Sequence, residues 1–227
     1  MKKQNVAVFG LLGGLMLVGV LIILGGVLLI AATGFIKIPL LTALLGTDKP
    51  RDLGVRTDPS YFTDMLTKQG IKLDGSYDKF CLECYFTYAD MKPMDISVTS
   101  NELSSWIKET NKEGTLKDVQ IKLGSNNNME MSANLDLRKH GYDFNGPIYA
   151  AGKIVKSGSN TLKIEINKAE AGLIPIPGEY AGQGAGELEK TINDQLSRMP
   201  GLNIEDFSVE NGALHYKGNF PSSIRAT

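Results

Sequence analysis

Cys81 and Cys84 come closest, by type and spacing, to residues that could do chemistry. They form one Cys-x-x-Cys within Lys79-Phe-Cys-Leu-Glu-Cys-Tyr-Phe86 and are the only cysteines of the chain. A thiol–disulfide catalyst sets such a pair at a helix start, where the helix lowers the attacking thiol's pKa. Here aromatic residues flank the pair and no helix start follows, so a local disulfide or two buried thiols is the plainer reading. Zinc needs two further ligands, and His140 and His215 lie far from the cysteines and from each other. There is no Gly-x-Ser-x-Gly elbow and no His-Glu-x-x-His, which leaves a Ser-His-Asp triad little to draw on. Glu205 and Asp206 would point to opposite faces of a strand and make no facing carboxylate pair. Ala181-Gly-Gln-Gly-Ala-Gly186 opens a helix, where backbone N–H groups can receive phosphate, but it matches neither the dinucleotide pattern nor the P-loop. The expectation is a protein that is not an enzyme and uses no metal or cofactor.

The elements that would position a site begin with an apolar segment. Lys2 and Lys3 precede an uncharged run of 30 residues, Val6 to Phe35. A membrane span needs roughly 20 residues and a cleavable signal core roughly 7–15, so the run predicts an uncleaved anchor. The small residues Ala31-Ala32-Thr33-Gly34 supply the alternative, a cleavage site. Positive charge beside the N-terminal end predicts a single-pass protein of the cytoplasmic membrane, N-terminus inside and the rest outside. Gly10 and Gly14 make one Gly-x-x-x-Gly, a face for self-association or for a membrane partner. No cysteine follows the run, so acylation as a lipoprotein is not expected. With 24 Lys and Arg against 25 Asp and Glu, the net charge of −1 provides no basic field for nucleic acid.

After Phe35 come 192 residues, enough for one domain with a connecting region. Ile36 to Gly46 is apolar and broken by Pro39, and it is expected at the interface or beneath the domain. Asp58-Pro59 and Gly70 bound a helix over Pro59 to Gln69, with Phe62, Met65 and Leu66 on one face. Thr99-Ser-Asn-Glu102 is a capping box, starting a helix that carries Leu103, Trp106 and Ile107 towards Gly114. The period then becomes two through Val119, Ile121 and Leu123, then Met129, Met131, Ala133, Leu135 and Leu137, then Tyr142 and Phe144, then Leu162, Ile164 and Ile166. Turn residues lie between, so these read as a four-strand antiparallel meander. Glu179 to Met199 repeats Ala185, Leu188, Ile192, Leu196 and Met199 at helical spacing. Asn211-Gly212 joins two last strands, one carrying Leu202, Ile204, Phe207 and Val209 and the other Leu214 and Tyr216, and Phe220 to Ile224 reads as a tail. The fold class is α+β, a curled antiparallel sheet wrapped around a long amphipathic helix. The expected divisions are 1–5 inside, 6–35 anchor, 36–57 juxtamembrane linker, 58–94 helical and Cys-x-x-Cys region, and 95–224 main domain.

Four stretches carry a family resemblance: Val98-Thr-Ser-Asn-Glu-Leu103, the meander with Asn134-Leu-Asp-Leu137 and Gly152-Lys-Ile154, the lead-in Ile174-Pro-Ile-Pro177, and Pro200-Gly-Leu-Asn-Ile204 running on to Asn211 through Gly218. Over about Asp95 to Ser222 the chain resembles small bacterial TULIP-like (tubular lipid-binding) proteins, in element order and turn placement. The resemblance implies an extracytoplasmic lipid-binding or lipid-transfer module of the bacterial envelope, holding an acyl chain of a membrane lipid in an apolar groove. The groove wall it implies is Met129, Met131, Leu135, Leu137, Phe144, Leu162, Ile164, Ile166, Leu188, Ile192, Leu196, Leu214 and Tyr216. Met129 and Met131 suit that role as adaptable side chains. The small residues of Ala181 to Gly186 leave room for a ligand or let helix and sheet pack tightly. The competing reading is a structural or accessory subunit of a membrane complex, with a filled core and no ligand.

Overall fold

The computed structural model describes residues 21–34, 36–81, 84–112, 114–141 and 145–226. Within them the chain is α+β, and both of its sheets are open. The first sheet grows in sequence order, because short turns join strands whose apolar residues alternate. It comprises β3 (Leu116–Leu123), β4 (Asn128–Asp136), β5 (Asn145–Lys156), β6 (Leu162–Ala171) and the short β7 (Ile174–Pro175), each antiparallel to the one before. The second is built around β9 (Ala213–Ala226), which pairs antiparallel with β2 (Phe86–Thr99) along one side. On its other side β9 takes β8 (Asn203–Glu210) antiparallel and β1 (Lys72–Asp74) parallel. Asn211 and Gly212, both at positive φ, make the tight turn between β8 and β9.

The sheets close one core. Ile96, Ile204, Val209 and Tyr216 of the four-stranded sheet bury themselves with Val119, Ile121, Leu123, Ala133, Ile154 and Leu162 of the five-stranded one. Asn127 joins the two: its N–H donates to Val209 O, its Oδ1 accepts from Val209 N–H, and its carbonyl accepts from Ile154 N–H. The β5–β6 turn repeats the device, since Ser159 O accepts from Ile204 N–H.

Helices seal the edges of the five-stranded sheet. Thr99 caps α4 (Ser100–Thr110) through the expected capping box. Ser104 Oγ accepts from Ile121 N–H at 2.8 Å and Ser100 Oγ from Leu123 N–H at 2.9 Å, which occupies β3's outer edge. The long helix α5 (Gly178–Ser197) does the same for β6, where Asn193 accepts from Leu162 N–H and Glu189 from Ile164 N–H, both at 2.9 Å. An unpaired strand edge invites another strand, and these side chains fill its donors. The helix α3 (Pro59–Gln69) rests on α4 and buries Phe62 and Met65.

Several expectations change. The sheet does not wrap α5; the helix lies along the rim of β6, because its polar residues are shared with that strand's backbone. β2 crosses the boundary expected between Met94 and Asp95, and the tail from Phe220 to Ile224 is part of β9. Pro93 disguises β2, yet among the described residues β2 is bonded to β9 alone, and an edge strand accommodates proline. The third strand of the meander is β5, described from Asn145 on, and opposite its Ala151 and Gly152 a bulge at Asn167 breaks the alternation of β6.

The apolar run is helical over 21–33, labelled α1 here, and a short helix α2 (Pro39–Leu45) starts at Pro39. No helix among the described residues is long and apolar enough to cross a membrane. Most of the expected span, with Gly10 and Gly14, lies outside the described residues, as do Tyr142 and Phe144. The 36–57 stretch is strapped to the domain: Leu53 N–H donates to Gln120, Arg56 N–H to Asn101 and Asp58 N–H to Ser105.

Candidate functional site

Between the two sheets the apolar side chains divide into two layers. Among the described residues ten are buried, and sixteen more pack on them while keeping part of their surface open. The outer layer outnumbers the inner, so the interior is a thin core with a wide, partly accessible apolar margin. Cross-strand pairing orders that margin: Met129 faces Leu123, Met131 faces Ile121, and Ile164 faces Ile154. On the opposing sheet Leu214 faces Val98 and Val209, and Tyr216 faces Ile96 and Phe207.

Of the wall residues expected from sequence, Leu162 and Tyr216 belong to the buried layer. Met129, Met131, Ile164, Ile192, Leu196 and Leu214 belong to the margin. Leu135, Leu137, Ile166 and Leu188 are half-buried outside this cluster, so the structure does not gather them with the rest. Sequence reasoning missed Met94, Ile148, Leu202, Phe207 and Phe220, which stand in the same margin. The alternation of Met94 with Ile96 and Val98 was the available signal for β2. Phe220 was hidden because it precedes Pro221, which ordinarily ends a strand.

A depression of about 210 Å³ opens over Pro93, Met94, Asp95, Glu205, Lys217 and Gly218. Ligand sites commonly hold about 300–1,000 Å³, so this hollow is not a finished ligand cavity. The N-terminal half of α5 adds slack: a Cβ at Gly182, Gly184 or Gly186 would meet nothing within 4 Å. Those glycines therefore do not serve tight packing of helix on sheet. Each costs the helix about 1 kcal/mol relative to alanine, so this half is held weakly by its own sequence.

The C-terminal half of α5 is fixed. Gln195 is buried; its Nε2 donates to Cys84 O at 2.7 Å and its Oε1 accepts from Tyr88 at 3.0 Å. Arg198 lies over the Tyr85 ring at 4.4 Å. Cys81 and Cys84 are joined as a disulfide in the turn before β2, with Cα atoms 5.1 Å apart. The pair thus links the end of α5 to the four-stranded sheet. Burial pushes the Tyr88 phenol up to about 12, against a smaller lowering by Arg198. Burial also pushes Tyr216 up to about 12, aided by Glu205, while its hydroxyl donates to Asn219 O at 2.7 Å. His215 lies half-buried on β9 beside Ser97 and Ser208, away from both cysteines in the chain order of the sheet.

The outer face of the five-stranded sheet carries a polar lattice. Arg51 reaches Glu170 at 2.5 Å and lies 3.8 Å from the centre of the Tyr149 ring. Tyr149 donates to Glu130 at 2.7 Å, and Lys168 pairs with Glu170 at 2.8 Å. Burial alone would raise Glu170, yet Lys168 and Arg51 together hold its carboxyl below the ordinary range. Beneath them Ser132 is fully buried, and its hydroxyl has no hydrogen-bond partner among the described residues. No protein-family model matches this chain, and no curated protein matches its sequence.

Proposed function

We propose that this chain is a membrane-tethered, extracytoplasmic, TULIP-like module that takes an acyl chain of a membrane lipid between its two sheets. The observation that carries the reading is the apolar margin, sixteen partly open side chains around a core of ten. Apolar area held half open on both sides of a cleft gains by admitting an apolar guest, at about 25 cal/mol per Å² covered. The methionines Met94, Met129 and Met131 re-pack readily, and the weak half of α5 gives the cleft a side that can move.

The tether reading is supported by α1. Leu21, Ile22, Ile23, Leu24, Leu28, Leu29 and Ile30 are all exposed on it, a contiguous apolar surface continuous with the uncharged run that begins at Val6. Such a surface needs an apolar environment.

Photo-crosslinking tests the cleft. A benzophenone amino acid is placed at Ile192 and, separately, at the exposed Lys163, in the full chain reconstituted with labelled phospholipid. A lipid adduct from position 192 and none from 163 is expected. Absence of an adduct from 192, or equal adducts from both, overturns the reading and leaves the filled-core accessory subunit.

A further inference from the structure

The foot of the domain is apolar on the outside and locked on the inside. Leu173 N–H donates to Ala32 O at 2.8 Å, and Thr47 Oγ1 donates to Ala31 O at 2.6 Å. The last carbonyls of a helix have no partner within it, and here the domain supplies two. Gly172 makes the approach possible: at φ +59°, a Cβ on it would lie 2.3 Å from Ala32 O. Gly34 fits as closely, since its Cβ would lie 2.5 Å from Thr47 O and 2.7 Å from Pro147. Ala31, Thr42 and Thr47 are buried in this joint. The helix α1 therefore meets the domain as one rigid piece, without a spacer.

Around the joint the large apolar side chains point out. Leu40 is 86 % exposed, Leu44 82 %, Ile36 57 % and Leu173 50 %. Leu40 and Leu44 are four apart on α2 and share a face, while Thr42 on the other side is buried. Leu173 adjoins the Gly172 contact with α1. Lys37 and Lys49 flank the patch and are exposed, with charge that suits an anionic headgroup layer.

We infer that Ile36, Leu40, Leu44 and Leu173 form a collar that sinks into the lipid interface of the bilayer entered by α1. The collar, with the locked joint, seats the whole domain on the membrane in one orientation. This rests on the tether reading above. The occupant is lipid because the patch follows directly on an uncharged run of 30 residues, includes Leu173, which is bonded to α1, and has the exposed Lys37 and Lys49 in the same segment. Amphipathic interfacial helices bury their apolar face about 5–10 Å into the headgroup and acyl boundary, a depth side chains on α2 can reach.

The test uses the full chain with Leu40→Cys or Lys163→Cys, labelled with an environment-sensitive fluorophore. The two native cysteines are paired with each other, so the new thiol takes the label. The protein is reconstituted into vesicles of phosphatidylcholine with a minority of phosphatidylglycerol, with or without lipids bearing a nitroxide on the acyl chain. Expected are co-flotation with the vesicles, blue-shifted emission at position 40 that the nitroxide quenches, and unquenched emission at position 163. Co-flotation with position 40 unquenched overturns the collar and leaves the tether standing, which would assign the patch to a protein partner. Failure to float with vesicles overturns the tether and the collar together.

Discussion

The foot and the cleft both use apolar residues, and they treat them oppositely. At the foot, glycines let backbone meet backbone, and Ala31, Gly34, Thr42 and Thr47 are sealed. In the cleft, long flexible side chains lie half open, and along its rim the exposed glycines of α5 touch nothing. Protein interiors close-pack where geometry must be fixed. Apolar surface left partly open has a different use, since it keeps free energy in reserve for something that arrives later.

The sharpest way to break the contrast is Gly172→Val, which forces a side chain into Ala32 O and a β-branched residue to positive φ. We expect a loss of about 3 kcal/mol or more. The fall in thermal midpoint should be accompanied by protease cleavage between Gly46 and Thr57. Gln195→Ala comes next, leaving Cys84 O and the Tyr88 hydroxyl without their buried partner. A cost of about 1–3 kcal/mol is expected by denaturant titration. If the cleft opens where α5 is weak, lipid adducts at position 192 should survive this change, because it loosens the opposite half.

Acid acts on the strap. Glu170 is held below its ordinary value of 4.5, so its contribution is complete above that pH and is lost as pH falls through the lowered value. The Arg51 guanidinium resonance should therefore shift toward its free position only below about 4.5, and Glu170→Gln should remove the transition. Alkali acts on the core, since Tyr88 and Tyr216 resist ionisation up to about 12 and the unfolded phenol ionises near 10. Unfolding should steepen between those values. The smallest effect expected is a gain: Gly184→Ala and Gly186→Ala should each add about 0.5–1 kcal/mol to thermal stability. Slower lipid uptake in the double variant would tie that slack to function, and unchanged uptake would separate them.

Local rules carried much of the fold. Asp58-Pro59, the Thr99 to Glu102 box and Asn211-Gly212 each act within a few residues, and α3, α4 and the β8–β9 turn follow from them. Met129, Met131 and Ala133 likewise announce β4 by alternation. What stayed hidden depends on distant partners. Among the described residues Pro93 sits on an edge strand bonded to β9 alone, and Pro221 falls in the gap on β9 between the register with β8, ending at Asn219, and that with β1, beginning at Ser223. Likewise, Asn193 and Glu189 read as the polar face of a helix until β6 presents its N–H groups to them. For the site, alternation found the wall residues of β4 and β6 but not Phe207, which shares a face with Ile204 because of the β8 bulge between Ile204 and Asp206.

The sealed strand edges have a consequence for crowding. Molecules confined to a plane and seated in one orientation meet one another side by side far more often than molecules free in solution. Bare ladders on neighbouring flanks would zip such a population into ribbons. Ser100 and Ser104 on β3, Glu189 and Asn193 on β6, and Asn127 with Ser159 along β8 close that route at these three edges. On the tether reading proposed above, a handful of polar side chains keeps those three edges from pairing between neighbouring copies on one surface.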